Sequence, residues 1–159
     1  MRVLDRGVYL TALGLNKSLR QAIIDGDLSG GGGGSGVVEI FNSTVVVNGL
    51  ASSLTGLSYF MASKSITINF IRLQVFQKNG ISTGNLVVDL KKNSTPDETG
   101  MTSIFSAQPV RNFATDTDYS FDSGTLSTTS LTQGDYLRLD VTSIPTGWVG
   151  KFQISAYGV

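Results

Sequence analysis

The chain has 159 residues, enough for one domain with a proper core and short for two. Its 12 Lys and Arg balance 12 Asp and Glu, and charged residues make up only 15% of the chain, so no long-range field draws the protein to nucleic acid or to an anionic membrane. It has no cysteine and no histidine, which excludes disulfide staples, the usual zinc sites, thiol nucleophiles and histidine acid-base schemes, and with them most hydrolase mechanisms.

Residues 2–13, RVLDRGVYLTAL, read as an extended arm with Val3, Val8, Leu10 and Leu13 apolar. Charges at Asp5, Arg6, Lys17 and Arg20 break any apolar run of signal-peptide or membrane-spanning length, so a soluble protein made in a cytoplasm is expected. Asn16 can cap a short helix, KSLRQAIID, with Leu19, Ala22 and Ile23 on one stripe and Gly26 placed to end it. A helix this short, below the roughly 12 to 15 residues that persist alone in water, needs a surface to pack on. The run SGGGGGSG, Ser29 to Gly36, is a linker, because polyglycine loses too much backbone entropy on folding and offers no side chains to pack. No Lys-Ser/Thr pair follows Gly36 and no strand precedes the run, so a phosphate cradle is not the reading. The organisation expected is an anchor arm at 1–28, a linker at 29–36 and a β-domain at 37–159.

From Val37 onward strand signals recur: VVEIF and TVVV, LSYFMA, the pair of apolar runs between Ile66 and Asn93, MTSIFSA, DYSFDS, DYLRLDV and KFQISAYGV. Turn pairs separate them at Asn48-Gly49, Asn79-Gly80, Thr99-Gly100, Ser123-Gly124, Gln133-Gly134 and Thr146-Gly147. Ile71, Leu73 and Val75, then Leu86, Val88 and Leu90, keep a period of two around KNGISTG, which predicts a β-hairpin. The apolar phase switches at Phe70, where a bulge or burial on both faces is required. About eight short strands, one polar face and no long helix after residue 36 specify an all-β fold, an antiparallel sandwich with jelly-roll topology preferred.

The run STGNLVVDLKKNST (Ser82 to Thr95), TSIF (Thr102 to Phe105) and GDYLRLDV (Gly134 to Val141) resemble the jelly-roll domain that recurs in tailed-bacteriophage virion proteins, among them head decoration proteins, head fibres and tail-fibre modules. The resemblance covers residues 66–159 and departs from the pattern at an inserted PDETGM, Pro96 to Met101. It implies a capsid decoration or cement protein on the outer surface of the virion, assembled in the host cytoplasm, with the major capsid protein and copies of itself as partners. A trimer is the oligomer the resemblance implies. The alternative is a tail or short-fibre component whose sandwich recognises a host-surface glycan. The chain starts at Met1 and is short for a fibre, which favours the head.

Val3, Val8, Leu10, Leu19, Ala22 and Ile23 are the residues expected to anchor on a shell, through strand addition by the arm and burial of the helix stripe. Trp148, in IPTGWVGKF, is either the plug of the sandwich or a surface contact for a protein or sugar. Asp116, Asp118 and Asp122 cluster, but Phe121 and Ser127 stand where an EF-hand loop needs Gly and a bidentate acid, so exposed turn acids are expected. Lys78, Lys91, Lys92 and Arg111 are read as a solvated face, since no aromatics interleave with them. Asn42-Ser43-Thr44 and Asn93-Ser94-Thr95 match the glycosylation acceptor but lack a secretory signal beside them. No carboxylate pair stands out for catalysis; no enzyme, cofactor or metal is expected.

Overall fold

Alternating apolar side chains build the long strands, and the computed structural model describes the chain over residues 36–95 and 97–159. Four long strands come first: β1 (Val38–Asn48), β2 (Leu54–Met61), β3 (Ile66–Val75) and β4 (Asn85–Asn93). Six short ones follow: β5 (Thr102–Ser103), β6 (Phe105–Ala107), β7 (Val110–Asn112), β8 (Phe121–Asp122), β9 (Thr125–Leu126) and β10 (Ser130–Leu131). Two long strands, β11 (Tyr136–Ser143) and β12 (Val149–Gly158), close the chain. No helix occurs among the described residues. The arm with Val3, Val8, Leu10, Leu13, Leu19, Ala22 and Ile23, the helix after Asn16 and all of the linker but Gly36 lie outside them.

Val37–Val159 form one compact unit built on two antiparallel sheets. The first runs β1-β12-β3-β10, with β8 also on β3; the second runs β2-β11-β4-β5, with β7 also on β4. A small ladder joins β6 to β9. Val47, Ile71, Leu73, Phe152 and Ile154 of the first sheet share one core with Leu86, Val88, Leu90, Leu137 and Leu139 of the second, all at most 1% exposed. The two inner faces thus meet as in a sandwich, each strand giving every second residue to the interior.

The long strands match the period-two reading, but the hairpin at Ile66 to Asn93 does not form. β3 pairs with β12 and β4 with β11, in different sheets. Their connection, residues 76–84, arches from one sheet to the other, and it is longer than the two to five residues that usually close a hairpin. Two strands that face each other across a core carry the same alternation as two paired side by side, so the period could not tell them apart. Asn79 (φ 51°), Gly80 (φ 80°) and Gly84 (φ 88°) do bend the chain there, as their residue types suggest.

The phase switch at Phe70 is a bulge: Tyr157 pairs with Phe70 and Gly158 with Ile68, which leaves Asn69 as the extra residue. Phe70 is thereby turned to the outside, where its ring stacks on Tyr157 at 4.5 Å. Twelve strands occur among the described residues, where eight or so are expected. VVEIF and TVVV merge into β1, while MTSIFSA splits around the buried Ile104 into β5 and β6, which belong to different sheets.

Trp148 lies in the core with 0% exposure, so its ring is not offered to a protein or sugar, which corrects the surface-contact reading. Phe113 meets it edge-on at 5.0 Å and Phe152 lies beyond at 6.4 Å. Its Nε1–H donates to the Gln77 carbonyl at 3.1 Å, which satisfies the indole donor and pins the arch between β3 and β4.

Candidate functional site

The outer faces of the two sheets differ in chemistry. On the second sheet, Tyr59, Arg138, Lys91 and Ser103 stand in one row across β2, β11, β4 and β5, and Asp140 and Asp89 stand directly opposite each other in the next. Two acids facing each other across a strand pair repel. Here each is compensated: Arg138 Nη2 donates to Asp140 at 2.8 Å, Lys91 Nζ lies 3.2 Å from the same carboxylate, the Gly56 N–H donates to it at 2.9 Å, and the Ser103 hydroxyl donates to Asp89 at 2.7 Å. Arg138, Asp140 and Asp89 are all buried. Burial alone would raise the Asp140 pKa, but the hydrogen bonds from Arg138, Gly56 and Lys91 outweigh it and hold the carboxyl below its ordinary value. The Arg138 guanidinium is in turn held above its own.

The inserted connection lies beside this network. Glu98 accepts the Tyr59 hydroxyl at 2.9 Å, which raises that phenol's pKa, and Asn93 Nδ2 donates to the Asp97 and Thr99 carbonyls at 3.1 Å each. At the strand ends Lys92 pairs with Asp135 at 2.8 Å. An acid held ionised by two cations does not donate a proton near neutral pH, and the bonds it accepts tie β4, β11 and Gly56 of β2 together.

The basic residues read as a solvated face are engaged instead. Lys91 and Lys92 sit in these pairs, Arg111 is buried beside Asp116 and bonded to the Ser120 hydroxyl, and Lys78 Nζ donates to the Phe113 and Asp116 carbonyls. The three clustered acids are likewise separate turn caps: Asp116 accepts from the Asn112 N–H, Asp118 from Lys78 and Asp122 from Val110. No group of three His, Cys, Asp or Glu placed to hold a metal occurs among the described residues.

The first sheet presents a face rich in aromatics and amides. Its cross-strand rows run Val46, Lys151, Phe76; then Thr44, Gln153, Gln74, Phe121; then Asn42, Ser155, Arg72; then Glu39, Tyr157, Phe70. Phe121 is 57% exposed with Arg72 over its ring at 4.7 Å, and Tyr119, also 57% exposed, meets Phe76 edge-on at 6.4 Å. Between β8 and β10 the outer edge of β3 opens into a cleft of about 270 Å³ bordered by Asn69, Phe70, Ser123, Thr125 and Thr129 and free of charge. This face leaves no local signature in the sequence, because its aromatics come from three distant segments that only the sheet register aligns.

No protein-family model, curated protein or solved structure matches the chain.

Proposed function

We propose that this chain is a structural virion protein of a tailed bacteriophage, a capsid decoration or cement protein that holds to the head through residues 1–28 and projects a jelly-roll domain. The observation that carries this is the strand order. In a jelly roll successive strands alternate between two four-strand-wide antiparallel sheets, and the orders β1-β12-β3-β10 and β2-β11-β4-β5 follow that alternation through β1 to β4 and again through β11 and β12. A second support is where the charge goes. The ion pairs of a chain with only 15% charged residues lock the second sheet, which suits a rigid spacer. The reaction proposed is non-covalent reinforcement: strand addition and helix burial by the arm, multiplied over many copies on a shell.

The test is co-sedimentation of the full chain, and of a version lacking residues 1–28, with undecorated shells and with tails. The full chain pelleting with shells while the truncation stays in solution is the expected result. Binding of both forms to tails or host cells, and of neither to shells, overturns the reading. In that case the second reading applies, recognition of a host-surface glycan, favoured by the exposed Phe70, Tyr119 and Phe121 beside the amides of Gln74 and Gln153 on one face. A glycan array read with a Phe70→Ala variant distinguishes it.

A further inference from the structure

A sheet edge is a row of unpaired backbone donors and acceptors, and soluble proteins blunt it with short strands, bulges, proline or lysine. Three of the four edges here are blunted. On one side the outermost strands are β5 and β7 on β4 and β8 and β10 on β3, each two or three residues long. On the other side β2 is interrupted at Gly56 (φ 68°), where its register with β11 shifts between Leu139 and Val141.

β1 is the exception. Among the described residues it has one partner, β12, and its register is unbroken from Phe41 to Asn48. No charge and no proline occur between Ile40 and Leu50, and Val46 is 76% exposed. The run IFNSTVVVN is rich in the β-branched residues that favour strands.

We propose that the free edge of β1 pairs with β1 of a second copy of this chain, antiparallel about a two-fold axis at Thr44. Side chains directly opposite each other in a sheet must point to the same face, so the axis has to pass through a residue, and Thr44 centres the overlap on Ile40 to Asn48. The pairing then places Thr44 against Thr44, Val46 against Asn42, and Phe41 against Val47. The strand's one charge, Glu39, falls opposite Gly49. Nothing repels, and the first sheets of the two copies become continuous. A neutral strand offers nothing to a charged partner, and the chain's zero net charge leaves no long-range repulsion between copies. This goes beyond the capsid reading and does not depend on it.

The experiment is sedimentation equilibrium on the full chain without shells. Wild type is expected to dimerise. Thr44 is exposed, so Thr44→Lys and Thr44→Glu both fold, as circular dichroism verifies. Each variant alone sets like charges face to face across the axis and moves the dimer midpoint about two- to fivefold higher in concentration. An equal mixture of the two, with opposite charges at the same spot, restores the dimer. A monomeric wild type, a trimer, variants that assemble like wild type, or a mixture that stays dissociated overturns the proposal.

Discussion

Arg138→Met probes the ion network of the second sheet most directly. The Arg138 side chain is 7% exposed and that of Asp140 4%, so both charges are removed from water and depend on each other. With Arg138 gone, Asp140 faces Asp89 across the ladder and keeps one cation, Lys91, which is 30% exposed and 3.2 Å away. Breaking a buried pair by removing one partner costs about 3–5 kcal/mol. Asp140→Asn is milder, about 1–3 kcal/mol, because it also removes the repulsion with Asp89 and keeps hydrogen-bonding atoms beside Arg138 and Gly56. Urea unfolding at neutral pH measures both, and combining them in an Arg138→Met, Asp140→Asn double variant should cost less than the two losses added, since each removes the other's stranded charge. If Arg138→Met costs under about 1 kcal/mol, or less than Asp140→Asn, the pair does not hold the sheet in the way argued.

Acid tests the same network. The Asp140 and Asp135 pKa values are depressed in the fold, so their contribution is fully present above the ordinary carboxylate pKa, near 3.9 in unfolded chains, and fades as pH falls through the lower folded values. Wild-type stability should therefore drop below about pH 4, and Asp140→Asn should flatten that slope. Trp148→Ala removes the plug between Phe113 and Phe152 and is expected to cost about 3–5 kcal/mol by denaturant titration. Gly124→Ala would set a Cβ 2.6 Å from the Ala107 carbonyl and 2.7 Å from the Pro109 nitrogen, at φ 62°, so it should lower the melting temperature well beyond Gly80→Ala, which meets open space at φ 80°.

The turns were the most legible part of the chain. At all six Xaa-Gly pairs noted in the sequence the glycine has positive φ, because side-chain sterics act within two or three residues and leave a local signature. Strand existence was nearly as clear wherever alternation ran for eight or more residues. Strand partnership was not, and the false hairpin at 66–93 shows why: pairing depends on which distant segment supplies the next ladder, and β3 finds β12 some eighty positions away. The short strands β7, β9 and β10 were missed because two or three residues carry no periodicity; their neighbours hold them in place. Trp148 could be narrowed to plug or contact but not resolved, since an indole suits both and only burial separates them.

Arg138 and Asp140 alternate with the core residues Leu137, Leu139 and Val141 and so lie on the outer face of β11, yet both are buried. That bears on where partners bind. The runs NLVVDLKKN and GDYLRLDV supply Asp89, Lys91, Lys92, Asp135, Arg138 and Asp140, and these six residues bond chiefly to one another and to nearby groups. Both runs thus serve sheet construction: charge placed across strands fixes β4 against β11, with little left to attract a ligand. Recognition has to be carried by groups this network does not consume. Among the described residues those are the uncharged edge of β1 and the aromatic rows of the first sheet. A substitution series over both sheets should accordingly divide in two, with changes on the second sheet lowering stability and leaving assembly of the folded fraction intact, and changes at Thr44, Phe70 or Phe121 altering binding at nearly constant stability.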